Sequence, residues 1–155
     1  MTDQGPAVLA LARRAELLEF LPTGTLARRT AGVVSPPPGA MLDLDIDTRV
    51  GVVRELQERF VVLAVVSLWA RTNGGDKRPF ARFLYRVNVR YSNAGDASDE
   101  GLLAFAQTNG MVHLWPYARA FIQSAATSMG LVPITLPFFR VAAPNGKPLQ
   151  PTPAR

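Results

Sequence analysis

The stretch "VHLWPYARAFIQSAATSMGLVPITLPFF", Val112 to Phe139, decides the fold. Its proline reads as the first turn of a helix, where a missing N–H costs nothing. From Pro116 to Gly130 that helix carries Ala118, Ala120, Ser124, Ala125, Ala126, Thr127 and Ser128, so much of its surface is smooth and low. Glycine ends it, and "LVPITLPFFRV" beyond is read as extended. A smooth helix face lets backbones approach closely, either on the chain's own sheet or on a symmetry copy.

Upstream of this helix the pattern is that of strands. "MLDLDIDT" sets Leu42, Leu44 and Ile46 on one face and Asp43, Asp45 and Asp47 on the other, the period of a half-buried strand. A calcium loop is the competing reading of three spaced aspartates, but neither the turn glycine nor the closing glutamate stands at the required offset. The next strand, Arg59 to Arg71, is apolar on both faces, as a doubly covered strand would be. "TNGGDKRP" turns the chain into a hairpin. On its second arm Ala81, Phe83, Tyr85, Val87, Val89 and Tyr91 share one face, and Arg82, Leu84, Arg86, Asn88 and Arg90 share the other.

The remaining segments are less regular. Arg13 to Thr30 mixes helix formers with an interruption at Pro22–Gly24, which reads as a bent or bulged strand with helix the open alternative. "AGVVSPPPGA", Ala31 to Ala40, is a long proline-stiffened connector carrying Val33 and Val34. Ser98 caps a short helix with Asp99 and Glu100 in its first turn, which Asn109–Gly110 is expected to stop. Residues 1–10 are expected to be a flexible N-terminus, 11–141 one domain, and 142–155 a disordered Pro-rich tail.

The 155 residues suffice for one domain with a real core. Without cysteine there are no disulfides or thiolate metal sites, and a lone His113 leaves little room for imidazole catalysis. No Walker-type phosphate loop is present, and neither cofactor nor metal is expected. The apolar run near the N-terminus follows Asp3 with no Lys or Arg before it, so the order of a secretory signal is missing. "FVVLAVVSLWA" is too short to cross a membrane. A soluble, cytoplasmic protein is expected. The net charge of +5 comes almost wholly from arginines scattered along the chain, which makes nucleic acid an unfavoured partner. Arg82, Arg86 and Arg90 still leave an anion-binding or nucleic-acid-binding sheet face as the alternative reading.

Trp115, Pro116, Tyr117, Ala118 and Arg119, followed by the small-residue helix, Gly130 and a proline-punctuated segment, resemble the helix signature of the SecB family of export chaperones. "LDLDID" at Leu42 to Asp47 resembles that family's second strand. The resemblance implies an α+β fold: a four-stranded antiparallel sheet, a long crossover loop between the first two strands, one main helix and a short one. It implies a homotetramer, a dimer of dimers, that binds unfolded preproteins or antitoxins in apolar grooves without ATP.

On that reading Val33, Val34, Trp69, Trp115, Phe138 and Phe139 line the client surface, with a place in the ordinary core the alternative for each and an equal one for Trp69 and Trp115. Tyr117, Ala118, Arg119, Phe121, Ala125 and Ser128 form the oligomer interface. Asp43, Asp45, Arg82, Leu84 and Arg86 form a partner-docking sheet face. The sequence departs from the family in two respects. It is Pro-rich where a second flanking helix is usual, and it places Arg86 where the fourth strand would present a glutamate. Both argue against docking on the export motor, and make a chaperone dedicated to an antitoxin as well supported as one serving export.

Overall fold

The computed structural model describes residues 5–56 and 58–139. In chain order it contains α1 (Gly5–Arg14), β1 (Glu16–Arg29), β2 (Leu42–Leu56), β3 (Arg59–Thr72), β4 (Ala81–Ser92), α2 (Asp99–Phe105) and α3 (Met111–Ser128). The strands form one antiparallel sheet in the order β1-β4-β3-β2. This is the expected α+β arrangement, with residues 30–41 crossing from one edge of the sheet to the other.

Strand periodicity sorts the side chains. Phe60, Val62, Ala64, Val66, Leu68 and Ala70 of β3 are buried, together with the alternate residues Ala81 to Tyr91 of β4. They make the inner face, on which α2 and α3 lie. β1 is a strand with register shifts at Leu17/Glu19 and Pro22/Gly24, which closes the helix alternative for that segment. An edge strand tolerates Pro22, because one side of its backbone has no ladder to complete.

Residues 99–128 correct the expected helix boundaries. α2, a π turn at residues 106–110 and α3 are continuous, so Asn109–Gly110 does not stop the helix and Pro116 does not start one. Gly110 is helical, at φ −57 and ψ −46. Its bare Cα lets the helix lie on β3, since a Cβ there would stand 3.4 Å from a Val62 methyl. The Thr108 hydroxyl donates to the Ala104 carbonyl at 2.8 Å, a bond back onto the preceding turn at the point where the helix widens. Pro116 lies inside α3 on its exposed side, where water can serve the carbonyl that the missing N–H leaves open.

The other end of α3 follows expectation. Gly130 has φ +67, its N–H donates to the Thr127 carbonyl at 2.9 Å, and that of Leu131 donates to the Ala126 carbonyl at 3.0 Å. These are the paired bonds of a glycine-capped helix end. Residues 131–139 then run back along α3 without regular hydrogen bonding, burying Leu131, Ile134 and Leu136.

A second correction concerns the N-terminus. The segment expected to be flexible is helical from Gly5, and Leu11 is buried in the core. Arg14 fixes the helix end by donating to the Ala94 carbonyl at 2.6 Å and to Asp96 at 3.2 Å. The expected Pro-rich tail, 142–155, lies outside the described residues.

Candidate functional site

The inner face is unevenly covered, and this difference defines the candidate site. β3 and β4 are buried along it, whereas Leu42, Leu44, Ile46, Val50 and Val52 of β2 are only half-buried. β2 is an edge strand, and α2 and the π turn lie against it without closing over it. The half-covered apolar strip along its inner side is the candidate trough.

The crossover loop enters that strand. Thr30 N–H donates to the Phe80 carbonyl at 2.9 Å and Asn73 N–H to that of Met41 at 3.0 Å, which ties the two loop ends to the hairpin turn between β3 and β4. Between them Pro36 is buried, Val33 packs half-buried on the core, and Val34 stands 87% exposed. The expected loop pair is thus divided into an anchor and a free side chain.

At the other end of the expected client set, Phe138 is 76% exposed and lies under the Arg119 guanidinium, 4.6 Å from its ring centre. Phe139 is half-buried against Trp115, with ring centres 5.4 Å apart. Trp115 itself is core, the second of the two readings open for it. Its indole N–H donates to the Pro137 carbonyl at 2.8 Å, so it pins the returning segment to α3. Trp69 lies half-buried on the opposite side of the sheet, with the Arg82 guanidinium 5.8 Å above it. It therefore joins no surface with Val34 or Phe138.

Of the residues expected at an oligomer interface, Ala118 is fully buried beneath α3 and has no surface to offer, a correction set by helix phase. Phe121 and Ala125 pack half-buried on the chain's own core, and Phe121 lies 5.5 Å from Tyr85. Arg119 is half-buried under its contact with Phe138. Tyr117 is exposed and stacks on Phe20 of β1 at 4.0 Å. Ser128 is exposed, and with Pro116, Ala120 and Ser124 it makes the smooth stripe of α3 that faces solvent.

The outer face carries the expected docking residues. Register aligns Asp45, Trp69, Arg82 and Arg28 in one row across the sheet, with Leu84 and Arg86 in the rows that follow. Asp43 pairs in register with Arg71, which reaches Asp45 at 3.5 Å. Asp47 meets Arg49 at 3.0 Å. The three arginines of β4 do not act as one stripe. Arg90 is held by Glu55 at 2.8 Å and by Glu19, and its guanidinium keeps the Glu55 carboxyl below the usual carboxylate range. This arrangement disfavours the anion-stripe alternative.

His113 is likewise engaged. Its Nδ1 lies 2.9 Å from the Tyr91 hydroxyl. Burial pushes the Tyr91 phenol far up, so it keeps its proton. Among the described residues no group of three His, Cys, Asp or Glu could hold a metal, and no helix is long and apolar enough to cross a membrane.

No protein-family model and no curated protein matches the sequence. Among solved structures, the chain is similar to the Mycobacterium tuberculosis Rv1957 SecB-like chaperone, described in complex with a ChAD peptide from the Rv1956 HigA1 antitoxin. The TM-score is 0.75 at 21% identity, covering 89% of this chain and 99% of that one. Strand order, crossover connection and helix placement together give this chain the SecB-like fold.

Proposed function

We propose that this protein is a cytoplasmic, ATP-independent holdase that binds unfolded or aggregation-prone chains without covalent chemistry. Clients lie in the trough along β2 beside the crossover loop. The observation that carries the reading is the half-covered inner side of β2 in an otherwise buried face. Support also comes from Val34 and Phe138, two exposed side chains on segments whose prolines keep the backbone from pairing in the sheet. The similar fold of a chaperone described with an antitoxin peptide favours antitoxin segments over preproteins as clients. A positive side chain at Arg86 argues against binding the export motor.

The working form is a homotetramer, a dimer of dimers, assembled through the smooth stripe of α3. Its contacts are Tyr117, Ala120, Ser124 and Ser128, with Arg119 supporting Phe138 nearby. A lone four-stranded sheet with one main helix leaves more apolar surface than it can cover, and symmetric association supplies the cover.

The test is aggregation of a chemically unfolded protein at increasing chaperone concentration. Burying a Phe side chain is worth about 1.5–3 kcal/mol, and most of that is still to be gained at Phe138. Val34→Asp combined with Phe138→Asp should therefore raise the concentration giving half protection about tenfold. Protection by the unaltered protein should change little with moderate salt. Absence of protection at stoichiometric tetramer would refute the holdase reading.

A further inference from the structure

The outer face of the sheet is not flat. Arg49 and Gly51 of β2, Leu63 and Val65 of β3, and Arg86 and Asn88 of β4 surround a depression of about 420 Å³. Register explains it: Gly51 stands beside Leu63, and Leu63 beside Asn88, so one row of the face lacks a side chain at β2. A Cβ on Gly51 would meet nothing within 4 Å. In the next row Val65 sits between Arg49 and Arg86, and Gly24 of β1 ends that row with a second missing side chain.

The floor is apolar, with Leu63 38% exposed and Val65 half-buried. The rim is basic. Arg49 and Arg86 rise from strands two spacings apart, roughly 10 Å. Arg86 lies along Gly24 and has no carboxylate partner among the described residues, whereas Arg90, Arg71 and Arg14 each have one. Arg49 pairs with Asp47 of its own strand, and its side chain is 82% exposed. Leu26 and Leu84 continue the apolar floor, and Arg28 and Arg82 continue the positive charge.

We propose that this depression docks an acidic segment of a partner protein. One aliphatic side chain seats over Gly51 against Leu63 and Val65, and carboxylates on either side of it pair with Arg49 and Arg86. The charge selects this occupant. A second copy meeting it depression to depression would set Arg49 and Arg86 against their own copies, and a basic segment would be repelled. A nucleic-acid backbone would use the arginines but leave the leucine and valine floor uncovered. The site lies on the side of the sheet opposite the trough along β2, so both can be filled at once.

The test is fluorescence anisotropy with a labelled peptide of alternating Leu and Asp or Glu, at low and moderate salt. The comparison arms are a peptide with Lys for the acids, one with Ser for Leu, and a single-stranded oligonucleotide of equal charge. Gly51→Val is the main variant, because a β-branched residue suits an extended strand and fills open space. It should melt no lower than the unaltered protein and bind the acidic peptide at least tenfold more weakly. Arg86→Glu should weaken binding by a similar factor, most strongly at low salt. Both variants should still suppress aggregation, which keeps this test separate from that of the holdase. No binding of the acidic peptide, unchanged binding by Gly51→Val, or equal binding of the Lys peptide overturns the proposal. So does tighter binding of the oligonucleotide, or a change in assembly mass with Gly51→Val, which would make the face an interface between copies.

Discussion

Gly110→Ala separates two accounts of the same residue by the sign of one number. Read locally, Asn109–Gly110 is a helix stop, and a stop glycine adopts positive φ, where alanine is strained and destabilises. In the folded chain Gly110 has φ −57 and ψ −46, ordinary helical values. Alanine there gains the helix propensity that glycine lacks, about 0.8–1 kcal/mol. Against this stands a new methyl 3.4 Å from one Val62 methyl and 3.6 Å from the other, at the tight edge of normal contact. A shift of a few tenths of an ångström relieves it and removes part of the gain. The net expectation is stabilisation of about 0.5 kcal/mol, raising Tm by roughly 1–2 °C for a domain of this size. Urea unfolding with unchanged m should place the midpoint correspondingly higher. Gly110→Val, which adds volume against Val62 where no room remains, should destabilise by about 1–3 kcal/mol. Loss of stability in Gly110→Ala by more than about 0.5 kcal/mol would refute the continuous helix as drawn, or show that the helix–strand contact cannot yield.

Ser124→Glu places a charge on the exposed smooth stripe of α3, and light scattering should report a lower assembly mass with helix content unchanged by circular dichroism. Trp115→Phe keeps most of the ring volume but removes the donor to the Pro137 carbonyl, at a cost of about 0.5–1.5 kcal/mol, and should loosen the segment carrying Phe138, read as faster proteolysis there. Glu55→Gln tests pH dependence. Arg90 holds the Glu55 carboxyl below its ordinary value, so its stabilising effect is present above the unfolded-state value and fades as pH falls through the folded one. In acid unfolding the substitution should narrow the stability difference between pH 6 and pH 3, and an unchanged slope would mean the pair contributes nothing.

What could be read in the sequence was what local periodicity encodes. Leu42, Leu44 and Ile46 against three aspartates, and the alternation from Ala81 to Tyr91, give strand, face and register because side chains alternate with a period of two. Gly130 was legible as a cap because its positive φ is a local requirement. The continuous helix was not, since both apparent breaks are overridden from elsewhere: Gly110 by its contact with Val62, Pro116 by its place on the exposed side. The role of Trp115 depends on a carbonyl 22 residues away, and the neutralisation of Arg90 on glutamates 35 and 71 residues away. Helix α1 was missed because the burial of Leu11 comes from packing against α2, which its own segment does not announce. The depression at Gly51 has a faint sequence signal, a glycine set among valines inside a strand, which commonly marks close approach by another group.

β3 brings the two proposed surfaces into one argument. Its inner residues, Phe60 to Ala70 in alternation, are buried by the chain's own helices, so their apolar character follows from folding alone. Its outer residues Leu63, Val65 and Trp69 are outside that core and no described helix covers them, and threonine or lysine there would remove no contact from the core. Antiparallel sheets with one wet face ordinarily alternate apolar with polar residues, and β4 does so with three arginines and an asparagine, Leu84 excepted. β3 departs from that rule on the stretch that floors the depression, beside Arg86, which has no carboxylate partner among the described residues. Leaving apolar area in water forgoes about 25 cal/mol for each Å² a partner would cover. Folding of the single chain gives no reason for that arrangement; a partner on the outer face does, separate from whatever fills the trough along β2.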